Sequence, residues 1–355
     1  MERKKVVILY AGLSDYVLNV FQKWVQTSLI ELHIIRDVVD KKEAPYEFET
    51  DLKYINLYDK NIYDFHSLEK LVKNIDPIAV VCSGWMERKY LKIVSIYAGR
   101  IPTIMAMDNQ WHGSIKQYVR TILSRIYLVK IFSHIWVPGE PQAEYAEKLG
   151  FKKYQILRGF YVANKNNFNR PLINPQQTFS KRFVFVGRYV EIKGVKELWQ
   201  AFSELEDEKT REWELHCIGT GPLFKDKVEH PKIKHIGFVQ PNELKEYIKE
   251  GGVFVLPSHF EPWGVVIHEF AYAGFPMIVS DAVGSASAFV EDSVNGYVFK
   301  NTNVYDLKSK LEQIIEMPEN QLIEMGSKSY QKAQYITEEK WCKTINNVIE
   351  SWKPQ

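Results

Sequence analysis

Two glutamates eight positions apart, Glu261 and Glu269, occur in the stretch of this sequence whose residue types best suit a charged, hydroxylated ligand. An ionised carboxylate only accepts hydrogen bonds, and each hydroxyl of a sugar or a ribose has one hydrogen to donate. A helix opening at Gly264 would direct the N–H groups of Val265 and Val266 towards an anion such as a diphosphate. The stretch therefore predicts a nucleotide-sugar site. The alternative is that both glutamates are ordinary exposed residues.

A strand–loop–helix–strand unit must position these residues. The apolar run from Val253 to Leu256 predicts a buried strand, and the helix that opens at Gly264 would end at Gly274 to Pro276. Met277 to Val279 would form the next strand. In units of this kind ligands bind beyond the carboxyl ends of the strands, against the helix N-terminus.

The segment from Ser258 to Asp281 resembles the signature of a large family of retaining glycosyltransferases with the GT-B architecture, called glycosyltransferase family 4 or group 1. The family's Glu-x7-Glu pattern falls on Glu261 and Glu269, and its helix-opening glycine falls on Gly264. The resemblance implies that Glu261 orients the transferred sugar and that Glu269 binds the ribose of the donor.

A second motif begins at Gly187, directly after the predicted strand Phe183 to Val186. It resembles the Gly-Arg-x4-Lys-Gly loop of the same family, in which the arginine and lysine, here Arg188 and Lys193, hold the donor diphosphate. Negative charge accumulates on that diphosphate as its bond to the sugar breaks. Fixed cations in a desolvated site would stabilise this charge.

Two shorter matches extend the expected donor site. Gly219 belongs to a partial Gly-x-Gly after the predicted strand Leu215 to Ile218, and its family counterpart lines the binding site. Val239 follows a segment whose backbone contacts the nucleobase in the family. Alone, the partial Gly-x-Gly is a weak dinucleotide fingerprint, because Phe224 stands where a third glycine would be.

Loops at three predicted strand ends in the first half carry further candidates. Gly12, Trp85 and Trp111 are candidates for acceptor binding, because tryptophan faces stack on sugar rings and glycine lets backbone approach a ligand. In the family, a histidine or a short polar loop contacts the transferred sugar. Asp108 and His112 both qualify here, and the sequence leaves open which of them does so. Asp108 could equally cap a helix, and His112 could bond only to backbone.

A helix predicted from Ser114 to Phe132 carries apolar residues three and four positions apart. Lys116, Arg120 and Arg125 lie away from this stripe. We favour packing of the stripe on the sheet over contact with a membrane. The second possibility stays open because residues 1–165 hold 24 Lys and Arg against 18 Asp and Glu. This half is therefore +6 and the remainder −4, which suits an anionic lipid surface or a phosphorylated acceptor.

The composition is that of a globular protein, with 45% apolar and 25% charged residues among 355. Its pI of about 8.1 and lack of a basic run give no indication of nucleic-acid binding. The three cysteines are isolated, which predicts reduced residues in a cytoplasmic protein, with peripheral contact at the cytoplasmic membrane face as an extension. No two aspartates lie two positions apart, so we expect no essential metal and no cofactor besides the nucleotide-sugar substrate.

Alternating predicted strands and helices indicate an α/β protein with doubly wound, mostly parallel sheets. The resemblance implies two Rossmann-like domains that face a central cleft. We expect an acceptor-binding domain at residues 1–165 and a donor-binding domain at residues 166–335, with an Asn-rich linker from Gly159 to Pro175 between them. A C-terminal helix in residues 336–355 would cross back to the first domain.

These expectations combine into a retaining, metal-independent glycosyltransferase of the hexosyltransferase type. It would move a sugar from a nucleoside diphosphate, UDP by default, to a hydroxyl of a saccharide or lipid-linked acceptor in cell-surface polysaccharide or lipopolysaccharide synthesis. Two alternatives remain: a GT-B-like nucleotide-sugar epimerase and a non-catalytic partner subunit. A nicotinamide oxidoreductase is disfavoured because no complete glycine fingerprint is present.

Overall fold

The structure is a computed structural model that describes residues 2–38, 52–168, 179–206, 208, 210 and 212–354. The chain divides into two compact units. The first comprises Met1–Val162 together with Ile336–Gln355, and the second comprises Ala163–Tyr335. Part of the predicted linker, residues 169–175, lies outside the described residues.

The first unit is built on a parallel sheet of seven strands in the order β3-β2-β1-β4-β5-β6-β7. The strands are β1 (Lys4–Leu9), β2 (Ile30–Arg36), β3 (Ile55–Asp59), β4 (Ala79–Ser83), β5 (Thr103–Ala106), β6 (His134–Trp136) and β7 (Ile156–Leu157). The helices are α1 (Asp15–Thr27), α2 (Phe65–Ile75), α3 (Arg88–Tyr97), α4 (Ile115–Ile126), α5 (Leu128–Ile131), α6 (Glu140–Lys148) and, from the end of the chain, α14 (Glu338–Ser351).

Strand β1 explains why this sheet has a core on each face. Its residues alternate, so that Val6 and Ile8 pack into one apolar cluster while Val7 and Leu9 pack into the other. All four are fully buried, as expected for a central parallel strand. The chain winds outward from β1 in both directions, which places the reversal of strand order between β1 and β4.

Helix α14 completes one of these two cores. Thr337 caps it by accepting a hydrogen bond from the Lys340 N–H at 3.2 Å. The Trp341 indole stacks on Trp136 with ring centroids 4.6 Å apart and donates to the Phe160 carbonyl at 2.9 Å. These contacts attach the C-terminal helix to the first unit.

The second unit has a parallel sheet of six strands in the order β10-β9-β8-β11-β12-β13. The strands are β8 (Arg182–Val186), β9 (Glu214–Ile218), β10 (Ile233–Gly237), β11 (Val253–Leu256), β12 (Met277–Ser280) and β13 (Gly296–Phe299). The helices are α7 (Lys165–Phe168), α8 (Val195–Ser203), α9 (Pro241–Lys249), α10 (Val265–Tyr272), α11 (Ala286–Phe289), α12 (Val304–Ile315) and α13 (Glu319–Ala333).

The two doubly wound sheets confirm the predicted fold class. The structure differs from prediction at the helix expected from Ser114 to Phe132, which is broken at Tyr127 into α4 and α5. The apolar stripe of α4 does not pack on the sheet: Ile122 is 63% exposed and Ile126 61%. Our preferred interpretation of that stripe was therefore wrong, because the residues that α4 buries are the polar Gln117 and Ser124.

Candidate functional site

The loops after β8 and β11 meet at the carboxyl edge of the second sheet. The order of strands reverses between these two neighbours, and such a reversal is where ligands of open α/β sheets bind. The His259 N–H donates to the Ile192 carbonyl at 2.8 Å and joins one loop to the other. Gly194 has φ of 64°, and a Cβ there would clash with the Pro257 carbonyl oxygen. Glycine is therefore required for this approach of the two backbones.

This meeting of loops brings Lys193 and Glu261 together. The Lys193 ammonium donates to the Glu261 carboxylate, and the two side chains are 24% and 13% exposed. The Ser258 hydroxyl also lies 3.4 Å from the same carboxylate oxygen. An ammonium has three donors, so Lys193 can hold the carboxylate and bind a phosphate oxygen at the same time.

The backbone of Glu261 is fixed by the segment after β12. Its N–H donates to the Ala282 carbonyl at 3.3 Å, and its carbonyl accepts from the Gly284 N–H at 3.0 Å. Here the segment supports Glu261 through its backbone.

Gly264 begins α10 in a conformation that other residues rarely adopt. Its φ is 87°, and an added Cβ would lie 2.8 Å from Cγ of Glu261. The Gly264 carbonyl accepts a hydrogen bond from the Ser285 hydroxyl at 2.9 Å. A side chain at this position would therefore disturb both the helix start and the Glu261 side chain.

Helix α10 carries three of the predicted donor-binding residues. Val265 is buried and Val266 is half-buried in its first turn, where N–H groups have no partner within the helix itself. Glu269 is half-buried one turn further along, on the face of Val265. Phe270 fixes the helix by stacking on Phe254 of β11, with ring centroids 3.9 Å apart.

The same edge of the sheet holds Gly187, Gly219 and Val239. The Gly187 N–H donates to the Ile218 carbonyl at 3.0 Å, and the Gly219 N–H donates to the Gly237 carbonyl at 2.7 Å. Three strand ends are thereby joined through backbone, and half-buried Val239 follows two residues after the last of them. The structure thus brings these positions to one sheet edge.

Arg188 and Tyr189 point in opposite directions from the loop after β8. Arg188 is exposed, whereas Tyr189 is fully buried and donates from its hydroxyl to the Cys217 carbonyl at 3.2 Å. Sequence analysis did not identify Tyr189 as the residue that anchors this loop. No neighbouring residue in the sequence signals this contact, because the partner Cys217 lies 28 residues further along the chain.

In the first unit, Asp108 lies with three tyrosines beyond β1 and β5, of which Tyr10 is buried and Tyr16 and Tyr161 are half-buried. The Tyr161 hydroxyl donates to the Asp108 carboxylate at 3.1 Å, and the Tyr161 ring lies edge-on to Tyr16. Burial raises the pKa of both Tyr161 and Tyr10 well above the ordinary tyrosine value. Both hydroxyls therefore stay protonated, and Tyr161 keeps its donor towards Asp108.

His112 has a different environment on the same loop. Its side chain is exposed, and its backbone N–H donates to the Gln117 side chain at 2.8 Å. Gln117 also donates to the Gln110 carbonyl at 2.7 Å, so this glutamine fixes the loop backbone. Sequence analysis missed Gln117. Nothing in the sequence distinguishes Gln117 from the other polar residues of the predicted helix.

The predicted acceptor residues lie in three loops of the first unit. Trp85 and Trp111 are half-buried and both contact Tyr145, with ring centroids 6.3 Å and 5.5 Å away. Gly12 is half-buried in the loop between β1 and α1, and its φ is not in the left-handed region. The roles assigned to these three residues stay predictions.

Within the described ranges, no group of three or more His, Cys, Asp or Glu side chains is arranged to hold a metal ion. The three cysteines are free and buried, as expected from their sequence contexts. Among the helices of the described residues, none has the length and apolar character needed to cross a bilayer.

A comparison with protein-family models concerns the second unit. Residues 169–332, which include both charged loops and α10, match the family model of the group 1 glycosyl transferases. The match supports the coarser part of the family expectation, a similarity to group 1 glycosyl transferases.

Two relatives differ in how much of the chain they match. An uncharacterized glycosyltransferase of Methanocaldococcus jannaschii is 32% identical over 140 residues, covering 37% of this chain and 34% of its own length. The N,N'-diacetylbacillosaminyl-diphospho-undecaprenol alpha-1,3-N-acetylgalactosaminyltransferase of Campylobacter jejuni is 22% identical over 319 residues, covering 81% of this chain and 82% of its own.

A solved structure extends the similarity to both units. Anabaena HepE in complex with UDP matches with a TM-score of 0.76 at 14% identity, covering 98% of this chain and all of its own. Identity this low supports the fold alone. The predicted GT-B architecture of the chain is thereby confirmed.

Proposed function

We propose that the protein is a retaining glycosyltransferase that moves a sugar from a nucleoside diphosphate to a hydroxyl of a saccharide or lipid-linked acceptor. The observation that carries the proposal is the pairing of Lys193 with Glu261 where the loops after β8 and β11 meet. A cation and a carboxylate at one strand edge fit a ligand that has both a diphosphate and free hydroxyls.

Each charged residue has a role in binding the donor. Lys193 and exposed Arg188 would bind the diphosphate, the lysine as a compact charge and the arginine through two parallel hydrogen bonds. Glu261 would accept hydrogen bonds from the transferred sugar, and Glu269 would accept them from the ribose. Gly187, Gly219, Gly264 and the N–H groups of Val265 and Val266 would lie against the phosphates, and Val239 against the base.

The proposed reaction replaces one bond to the sugar by another on the same face. The bond from the anomeric carbon to the diphosphate oxygen breaks, and the acceptor oxygen forms a new bond to that carbon. The acceptor proton passes to an oxygen of the leaving diphosphate. Lys193 and Arg188 would stabilise the charge on the diphosphate while the old bond breaks.

The first domain would bind the acceptor through Gly12, Trp85 and Trp111. Between the two candidates for contact with the transferred sugar, we favour Asp108 over His112. The Asp108 carboxylate accepts a hydrogen bond from the Tyr161 hydroxyl at 3.1 Å, whereas the His112 side chain is exposed. An oriented group in a partly desolvated position suits contact with a reacting sugar.

The donor and the setting are proposed from the relatives. UDP is the favoured nucleotide because the similar Anabaena protein was solved in complex with UDP. A lipid-linked saccharide is the favoured acceptor because the name of the Campylobacter relative specifies a diphospho-undecaprenol substrate. Synthesis of a cell-surface polysaccharide or lipopolysaccharide in the cytoplasm fits both, together with three free buried cysteines.

The decisive experiment is an assay of nucleotide release and product formation over UDP-, GDP- and ADP-sugars, with lipid-linked acceptors. We expect one donor to give a transfer product with the same anomeric configuration as the donor, measured by NMR. Chelation of divalent ions should leave the rate unchanged. An inverted product, or loss of the rate on chelation, would contradict the corresponding part of the proposal.

Two other outcomes would replace the proposal. Turnover of the donor without a transfer product would indicate an epimerase. The absence of both turnover and nucleotide-induced thermal stabilisation would indicate a non-catalytic subunit, because a ligand that binds the folded state must raise its stability.

A further inference from the structure

Helix α4 presents an apolar surface to the solvent. Its exposed side chains recur three and four residues apart along the helix, and they define the surface called here the α4 face. The α4 face comprises Ile115, Tyr118, Val119, Ile122, Leu123 and Ile126, which are 83%, 58%, 50%, 63%, 59% and 61% exposed. Apolar residues are commonly exposed singly, but a contiguous helical stripe is a typical interaction surface.

The side of α4 that faces the protein is polar. Its buried residues are Gln117 and Ser124, which lie seven positions apart and therefore on one side of the helix, opposite the α4 face. The hydrogen bonds of Gln117 to the loop before the helix help to hold the helix in this orientation. The outward direction of the apolar side chains is thus fixed by local contacts.

Cations border the α4 face on both sides. With 3.6 residues per turn, Lys116 and Arg120 fall along one border and Arg125 along the other, and all three are exposed. The segment from Ser114 to Phe132 contains no Asp or Glu. An exposed apolar stripe between two rows of cations is typical of a helix that lies in the plane of an anionic lipid surface.

This charge pattern favours a lipid surface over a second copy of the chain. Two α4 faces packed together would bring rows of Lys and Arg next to each other, and no carboxylate on the segment could neutralise them. Anionic headgroups would pair with the same cations while the lipid chains accept the apolar side chains.

We propose that the α4 face binds the protein to the surface of an anionic membrane. If the protein docks on a membrane, its acceptor would be carried by that membrane. This consequence rests on the proposed function. Helix α4 begins seven residues after Asp108, and the Trp111 ring of the intervening loop packs on Tyr118 with centroids 4.9 Å apart. Docking through α4 would therefore place the loop of Asp108 and Trp111 close to lipid headgroups.

The test is co-sedimentation of the full chain with vesicles of phosphatidylcholine, with and without phosphatidylglycerol, in the absence of donor and acceptor. We expect binding only to the vesicles that contain phosphatidylglycerol, with a decrease as salt is added. Equal binding to both vesicles, or binding to neither, would overturn the proposal.

Paired variants separate the apolar and charged contributions. Ile122→Glu with Ile126→Glu should lower vesicle binding at least about 10-fold, whereas Ile62→Glu, at a residue that is also 75% exposed, should not. Lys116→Ala, Arg120→Ala and Arg125→Ala together should lower vesicle binding at least about 10-fold, because each of these cations is attracted to an anionic surface. The matched control replaces three exposed lysines elsewhere, Lys70→Ala, Lys343→Ala and Lys353→Ala. An equal loss of vesicle binding in that control would contradict a specific role for α4.

All α4 variants carry substitutions at exposed positions, so circular dichroism and thermal melting should match the unsubstituted protein. If the unsubstituted protein is a dimer by light scattering and Ile122→Glu with Ile126→Glu is a monomer, the α4 face is an interface between copies and the proposal is wrong. Transfer to a soluble, short acceptor should be equal in the variants and the unsubstituted protein. If the unsubstituted protein shows no transfer to this acceptor, the proposed function is contradicted. The result of the vesicle-binding test would stand separately.

Discussion

The two units hold their predicted site residues in different ways. In the second unit, loop backbones lie directly against one another, at Gly194 with Pro257 and at Ile192 with His259, and they bring Lys193 to Glu261. In the first unit, side chains do this work, as Tyr161 does for Asp108. Positions that depend on backbone contact admit few residue types, so a domain built in this way keeps a recognisable pattern in its sequence.

Two charged residues of the second unit, Lys193 and Glu269, should produce the largest effects. Lys193→Ala should lower sugar transfer at least ~10²-fold, because it removes a cation proposed to stabilise the leaving diphosphate. Glu269→Ala should lower transfer by a similar factor through loss of the proposed ribose contact. Lys196→Ala is the matched control, since Lys196 is 42% exposed and pairs with surface Glu191, and its transfer rate should stay near normal. Near-normal turnover in both test variants would remove the site assignment.

Acidic pH should lower the stability of the second unit, because α10 contains a buried histidine. His268 accepts from the Ala163 N–H at 3.2 Å and donates to the Ala333 carbonyl at 3.0 Å, and burial lowers its pKa from 6.5 to about 4. Between these two pH values the unfolded chain binds a proton that the folded chain does not, so stability is lost as the pH falls from 6.5 to 4. The contribution to the free energy of unfolding is about 3 kcal/mol.

The measurement is urea unfolding of the protein and of His268→Gln at several pH values in this window. The variant should be less stable near neutral pH and should lose less stability on acidification than the unsubstituted protein. Parallel pH dependences would show that His268 does not cause the effect, because the remaining histidines are common to both proteins.

Gly264→Ala tests whether the backbone geometry of the second unit controls the position of the Glu261 side chain. The added Cβ lies 2.8 Å from Cγ of Glu261, so we expect a roughly 10-fold fall in transfer besides a stability cost of about 1–2 kcal/mol for the positive φ. Gly99→Ala is the control, since its φ is 75° and no atom lies within 4 Å of an added Cβ. It should lose stability alone, and an equal loss of transfer in both variants would indicate strain rather than displacement of Glu261.

Tyr161→Phe should have the smallest effect. It tests the first unit, in which a side chain rather than a loop backbone positions the candidate residue. It removes the hydrogen bond to Asp108, so we expect a transfer rate lowered a few-fold, in line with about 1 kcal/mol per neutral donor. Affinity for the donor, measured by calorimetry, should not change. Tyr154→Phe, at a residue that is 73% exposed, should change neither quantity. A weakened donor affinity in Tyr161→Phe would contradict the division of roles between the units.

Asp108→Asn should lower transfer more than His112→Gln does, because the aspartate accepts a hydrogen bond from Tyr161 whereas the histidine side chain is exposed. The rates of the two variants with a saturating donor provide the measurement. A larger loss in His112→Gln would assign contact with the sugar to the histidine.

Much of the fold was predictable because short apolar runs that end at a turn signal, such as Val253–Leu256 before Pro257, are typical of buried parallel strands. The loops predicted to bind the donor could be recognised because their backbone geometry restricts the residue types they admit. Gly264, where φ is 87°, is an example. The anchoring role of Tyr189 was not predictable, because its partner Cys217 is 28 residues away and nothing local specifies the contact.

The sequence by itself determined the alternation of strands and helices and the glycines and charges of the donor loops, because these depend on local backbone geometry and on residue type. Only the tertiary structure decided that Tyr161 supports Asp108, since the two residues are 53 positions apart. It also decided that the apolar stripe of α4 faces outward. A helical repeat shows that one face is apolar, but which face lies against the sheet depends on contacts made elsewhere, here by Gln117 with the preceding loop.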